Sequence, residues 1–156
     1  MTGDGVRTRF DALLAELAAD TGLGDLAAEP NGVCLLVFDG GTSLYLVADP
    51  SDASLVLWTA VAAAPAADPA GFYRRLLIAN LFWQGTGGAT LGLEPGHEQA
   101  ILALRRPLET LDLAGLKGAI ELMVEGTERI RKDLVEAPVP EEAPPAFGAA
   151  NLFIQA

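Results

Sequence analysis

The sequence contains one cysteine, Cys34, and one histidine, His97, among 156 residues. A lone cysteine excludes a disulfide within the chain and fits a reducing compartment. One cysteine and one histidine also fall short of a zinc site of the usual nitrogen and sulfur kind. Basic residues are scarce, with 10 Lys and Arg against 21 Asp and Glu, a formal net charge of −11. Such a chain lacks the cations that displace counterions from phosphate, which argues against nucleic acid as a partner. The same deficit argues against an anionic membrane surface. Long apolar runs are missing too. Ser54–Ala67 is uncharged, but it is interrupted by Pro65 and shorter than the roughly 18–20 residues of a membrane span. The opening stretch Met1–Leu14 shows no apolar h-region and no cleavage site. The expectation is a soluble cytoplasmic protein with no membrane insertion.

Hydrophobic residues make up 51% of the chain, enough for a core, and the length suits one domain. The charge is uneven. Residues 1–68 hold ten acids against Arg7 and Arg9, net −8, while residues 69–156 are net −3. An acidic front half keeps the chain soluble and favours a partner with a basic segment.

Phe10, Leu13, Leu14, Leu17 and Ala18 recur at helical spacing and predict a first helix over about residues 6–20. Gly22 is placed as its left-handed cap, with Leu23 folding back as the hydrophobic contact. Three strands are then predicted over Val33–Phe38, Ser43–Ala48 and Leu55–Val61. The turns Asp39–Thr42 and Asp49–Asp52 are too short for parallel crossovers, so the three form an antiparallel meander. Asp68-Pro69 opens a second helix as N-cap and first helical residue. Phe72, Leu76, Ile78, Leu81, Phe82 and Trp83 make that helix apolar on more than one face, which predicts burial on two sides. Gly85, Gly87 and Gly88 end it. Ala89–Leu93 and Gln99–Arg105 read as a second hairpin across Glu94–His97. Asp112 caps a third helix whose stripe runs from Leu113 through Leu116, Ile120, Met123 and Val124 to Ile130 and Leu134. Gly115, Gly118 and Gly126 weaken it by roughly 1 kcal/mol each relative to Ala, so it depends on tertiary contacts. The order is α-β-β-β-α-β-β-α, an α+β domain over residues 1–136. From residue 137 the prolines 138, 140, 144 and 145 predict an extended or disordered tail over 137–156. Its end, Asn151-Leu152-Phe153-Ile154, is apolar again.

No constellation carries chemistry. His97 lies in a Pro-Gly-His-Glu turn, and Cys34 in an apolar strand where it reads as a small hydrophobe. Asp39, Asp49 and Asp52 are explained by turns and lack the ligand spacing of a calcium loop. Gly85-Thr86-Gly87-Gly88 is followed by neither Lys-Ser/Thr nor a helix, so it is no phosphate loop. Arg105-Arg106 and Arg129/Arg131/Lys132 read as solvated faces. The expectation is no catalytic, cofactor-binding or metal site. The apolar surplus of the second helix, with Trp58, Phe82 and Trp83, predicts a covered partner surface, so binding is favoured over catalysis.

Several segments in this order resemble the class I type III secretion chaperones of the Tir chaperone (CesT-like) family. They are Phe10–Leu17 followed by Gly22-Leu23, Gly32–Leu36 leading to Phe38-Asp39, Leu55–Leu57, Leu76–Asn80, Gly88–Pro95 and Leu108–Asp112. The resemblance covers about Phe10 to Glu136. It implies a twisted, mainly antiparallel sheet packed by helices, in an acidic, non-enzymatic homodimer. It implies a partner, the N-terminal segment of a secreted effector, kept extended and secretion-competent without ATP. It places the dimer interface at Leu76, Leu77, Leu81, Leu91 and Leu93. It places effector contacts at Phe10, Leu14, Leu17, Leu35, Val37, Leu44 and Leu46, with a strand added at a sheet edge. Residues 137–156 depart from the family pattern, and Leu152–Ile154 is a candidate placeholder for effector in a groove. Three alternatives stay open: a regulatory binding protein of the same fold, a small α+β enzyme with an unfamiliar site, and a scaffold domain.

Overall fold

The computed structural model describes residues 3–136, and the Pro-rich segment 137–156 lies outside them. The elements run α1 (Gly3–Thr21), β1 (Val33–Val37), β2 (Ser43–Asp49), β3 (Ser54–Ala63), α2 (Pro69–Asn80), a turn of 3-10 helix (Leu81–Trp83), β4 (Thr90–Glu94), β5 (Gln99–Pro107) and α3 (Leu113–Glu136). The element order matches the α+β expectation. The five strands form one antiparallel sheet in the order β1-β2-β3-β5-β4. The meander and the hairpin are therefore joined through β3 and β5, which leaves β1 and β4 at the edges.

Local chemistry fixes the boundaries. Asp68 accepts a hydrogen bond from the Gly71 amide at 2.9 Å, and Pro69 opens α2 behind it. Asp112 caps α3 in the same way through the Gly115 amide at 2.8 Å. Gly22 adopts φ +69° and its amide returns to the Ala18 carbonyl, so it is the left-handed cap of α1. Leu23 does not fold back onto the helix. It stays exposed, because the backbone bond alone closes the turn. In the β4–β5 turn Glu94 accepts the amides of Gly96 and His97 and meets His97 Nδ1, which together hold its carboxyl below the usual range.

The core lies between one face of the sheet and helices α1 and α3. Phe10, Leu13 and Leu14 of α1 and Leu116 and Met123 of α3 are fully buried against Leu44, Leu46, Leu55, Leu57 and Leu102. The pleat alternates accordingly, with Leu55, Leu57, Thr59 and Val61 buried and Val56, Trp58, Ala60 and Ala62 on the far face. A β-bulge interrupts the β3–β5 register between Ala60 and Ala62. Arg131 of α3 fits it, donating to the carbonyls of Val61 (2.9 Å) and Ala60 (3.0 Å) and to Thr42 Oγ1 (3.1 Å). The sequence predicts a solvated face at Arg131, and the structure differs. It is a clamp between helix and sheet, because the bulge presents carbonyls that need donors.

Helix α2 departs from expectation in two ways. Of its apolar residues only Phe72 and Leu76 are buried. Phe82 and Trp83 leave the helix altogether, at φ 52° and 54°, in a left-handed turn that carries both rings outward. The reversal packs Gly85 against the Ala79 backbone, where an added Cβ would lie 2.8 Å from Ala79 Cα.

Two expected outcomes follow from this packing. Gly85→Ala forces the turn away from α2 and lowers stability by about 1–3 kcal/mol in urea unfolding. Burial raises the Cys34 thiol pKa. Since the thiolate is the nucleophile, iodoacetamide at pH 8 alkylates the native chain at least roughly tenfold more slowly than the unfolded one.

Candidate functional site

The far face of the sheet is largely apolar over β1, β2 and β3 and carries neither α1 nor α3. Its middle row runs across all five strands by register: Leu35, Tyr45, Trp58, Ala103 and Thr90. Tyr45 and Trp58 stack across β2 and β3 with ring centroids 4.1 Å apart and planes 9° from parallel. Such a cross-strand pair adds about 0.5–1.5 kcal/mol beyond area burial. Val47 and Val56 are paired in the row toward one end of the face. At that end Arg105 is held by Asp49 and Asp52. Ser51 also donates to Asp49 twice, and its side-chain bond is the main reason the Asp49 carboxyl sits below the ordinary value. The turn acids predicted to shape the Asp49–Asp52 loop thus also hold the cation at the rim of the apolar face.

Leu35 and Val37 of β1 are 44% and 70% exposed. The Phe38 amide donates to the Thr42 carbonyl, which sets the alternation of the β1–β2 ladder. Leu36 and Cys34 therefore turn their backbone groups toward β2, and Leu35 and Val37 turn theirs to the open edge. Side chains and main chain of these two residues both face outward, the arrangement an incoming strand requires.

The opposite edge is closed at its centre. Asn80, the last residue of α2, donates from Nδ2 to the Leu91 carbonyl and accepts the Leu91 amide at Oδ1, both at 2.8 Å. Its side-chain amide stands in for a neighbouring strand. Around this closed edge lies the second apolar surface: Leu77 (71% exposed), Ile78, Leu81, Phe82, Trp83 and Leu93. It is separated from the β1 edge by the width of the sheet.

These two exposed apolar surfaces are the candidate site. Among the described residues no group of three His, Cys, Asp or Glu side chains is placed to hold a metal ion. No described helix is long and apolar enough to cross a membrane. The model of the Tir chaperone protein (CesT) family matches residues 12–131. The chain belongs to that family. A Tir chaperone of Citrobacter freundii is 29% identical over 125 residues, covering 79% of this chain and 78% of the relative. Among solved structures, the ExsC–ExsE complex aligns with TM-score 0.72 at 21% identity, covering 84% of this chain and 97% of the other. The HopA1–SchA chaperone–effector complex aligns with TM-score 0.71 at 20% identity, covering 81% and 95%. The sheet-and-helix architecture of this family member is thus the fold of those chains.

The candidate contacts named from sequence divide sharply. Phe10, Leu14, Leu17, Leu44 and Leu46 are sealed between α1, α3 and the sheet, and have almost no surface in the protomer. Leu35 and Val37 lie on the open face. Of the candidate dimer residues, Leu76 and Leu91 are buried, whereas Leu77, Leu81 and Leu93 are exposed. Tyr45 was not singled out from sequence, although its alternation with Leu44 and Leu46 puts it on the far face. Asn80 carried no signal beyond its place at a helix end.

Asn80→Ala removes the clamp. It is expected to lower stability by about 1–2 kcal/mol and to speed exchange of the Leu91 amide, read by hydrogen–deuterium exchange.

Proposed function

We propose that this chain is a non-enzymatic cytoplasmic chaperone of type III secretion that binds the N-terminal segment of a secreted effector and keeps it extended without ATP. The observation that carries the reading is the coincidence, at Leu35 and Val37, of exposed apolar side chains with outward-facing strand backbone. Main-chain pairing at that edge tolerates varied sequences, and the Tyr45–Trp58 face supplies apolar selectivity. Membership of the Tir chaperone family supports the same reading, and the HopA1–SchA neighbour is described as a chaperone–effector complex. The seven candidate effector contacts thereby narrow to Leu35 and Val37, joined by Tyr45 and Trp58. Phe10, Leu14, Leu17, Leu44 and Leu46 act from beneath, by holding the sheet in shape. An ordered client segment loses conformational entropy on binding, so a broad apolar surface is needed to retain it.

The second surface is assigned to a homodimer. Leu77, Leu81 and Leu93 meet the partner copy directly, with Ile78, Phe82 and Trp83, while Leu76 and Leu91 support them from the core. Two consecutive non-glycine residues in the left-handed region cost on the order of 1–2 kcal/mol each, and such strain persists where it serves a site. Here it turns Phe82 and Trp83 out of the protomer as aromatic anchors. Because this surface and β1 lie on opposite edges of the sheet, dimerisation leaves both client edges open.

Affinity purification of the tagged protein from its native bacterium, with mass spectrometry, tests the client. One secreted protein retained through its N-terminal region is expected, with Val37→Asp and Trp58→Asp reducing its recovery at least tenfold. A secretion regulator in its place would favour the regulatory reading. For the dimer, light scattering of Leu77→Glu should give a monomer where the parent chain gives a dimer. Trp83→Gly should weaken association while leaving the far-UV spectrum unchanged, since glycine accepts the left-handed backbone.

A further inference from the structure

We propose that client-free copies of this chain associate through the far face of the sheet, about a two-fold axis that runs along the strands between β3 and β5. The contact is separate from the α2 surface assigned to the homodimer. It shares Tyr45 and Trp58 with the client reading, and rests on that reading only for its competition with a client.

The relief of the face carries the proposal. In the middle row the bulk lies on one side of the axis. Tyr45 on β2 and Trp58 on β3 form a stacked ridge, while Ala103 on β5 and Thr90 on β4 leave a trough beside it. In the next row the sizes reverse, with small Ala60 on β3 and large Ile101 on β5. All of these residues are half-buried or exposed. The axis exchanges β3 with β5 and β2 with β4 and keeps each row in place. It sets Trp58 over Ala103 of the second copy, Tyr45 over Thr90 and Ile101 over Ala60, each reciprocally. Large meets small at every one of these pairs, the pattern by which packed layers interdigitate. In the third row Val56 comes beneath the stem of Arg105. Only Ser43 over Gly92 sets two small residues together, at one corner. Two sheets of the same twist stack about 10 Å apart and roughly 30° off parallel, so the arrangement is an ordinary sheet packing.

Charge and area set the strength of the contact. Each copy carries a net charge of −11, so most of its surface repels a second copy. These rows over β2, β3, β5 and β4 hold no carboxylate. Their one charge is Arg105, which Asp49 and Asp52 hold at the rim. Four strands at about 4.8 Å and three rows at about 6.7 Å give a footprint of about 20 by 20 Å, roughly 400 Å² on each copy. With the relief of the side chains the pair buries on the order of 800–1,200 Å², the low end for specific interfaces. A reversible contact with a dissociation constant on the order of 0.1 mM matches that size. It hides the aromatic ridge when client-free copies accumulate and yields it to a client. Leu35 and Val37 on β1 lie beyond β4 of the second copy, so the strand edge stays open.

Sedimentation velocity on the full chain, from about 10 µM to about 1 mM, reads the contact without a client. The weight-average mass is expected to rise toward twice its dilute value. Ala103→Trp fills the trough and Trp58→Ala removes the ridge, and each should weaken association at least roughly tenfold. The double variant Trp58→Ala/Ala103→Trp exchanges ridge and trough, and should restore association to within about threefold of the parent. Far-UV spectra check that each variant is folded. Ala103→Trp is decisive even where Trp58→Ala loses the fold, because it only adds to the surface. A mass that stays constant to the highest concentration overturns the proposal. So does stronger association in Ala103→Trp, since added apolar area then promotes contact without regard to shape. So does loss of the concentrated step in Leu77→Glu, which gives that step to the α2 surface. If association fails while Val37→Asp still abolishes effector recovery, the client reading stands. If association follows the variants as expected while Trp58→Asp leaves recovery unchanged, the client reading alone is lost.

Discussion

The structure turns on a mismatch between the sheet and its helices. Strands β1, β2 and β3 are largely apolar on both faces, but α1 and α3 cover only one. A half-solvated antiparallel sheet ordinarily alternates apolar and polar residues. Here the alternation is between fully buried leucines and half-buried or exposed Leu35, Tyr45, Trp58 and Ile101. The stabilisation of the fold comes from the covered face, where complete burial of a leucine contributes about 1.5–3 kcal/mol. The far face retains part of that free energy unspent, and a chain that docks there gains it.

The two sheet edges show how that surface is kept specific. Bare edges attract any extended chain. At β4 a single side chain, Asn80, satisfies both backbone groups of Leu91, and α2 stands alongside. At β1 no such clamp from the described residues meets Leu35 and Val37, and the strand ends at Val37 before the glycine-containing Asp39–Thr42 turn. Pairing is therefore steered to one side. The other side is left to side-chain contacts, and the kink after Asn80 sends Phe82 and Trp83 to that side rather than into the core.

Much of this was legible in the sequence, and the limits have physical reasons. Periodicity and turn chemistry are local, so the helices, the strands and the caps Asp68, Asp112 and Gly22 followed from residue order alone. The pairing of β3 with β5 is not local. It depends on burying Leu55, Leu57, Leu102 and Leu104 on one face, which no short window encodes. The same limit blurred the candidate contacts. Leu44 and Leu46 differ from Tyr45 and Val47 only by one step of the pleat, and a one-residue step exchanges core for surface. Sequence places apolar residues on a strand, and only the position of α1 and α3 says which half remains available. Arg131 and Asn80 were hidden for a related reason. Each answers backbone groups left by an irregularity, a bulge in one case and an edge in the other, and neither irregularity has a sequence signature here. Phe82 and Trp83 broke the rule that positive φ belongs to glycine, and so read as a continuation of α2.

That last failure is informative about the second surface. Local preference and global structure usually agree, and conflicts collect where a chain must present something. Glycine was available to this turn, since Gly85, Gly87 and Gly88 follow within a few residues. Two large aromatic residues occupy the strained positions instead. A turn needed only to reverse the chain would be more stable with glycine there, so the strain is explained by the rings it displays. The same reasoning does not extend to the β1 edge, where the backbone is relaxed and the residues are ordinary. One surface is held ready by strain and the other by leaving a ladder unfinished.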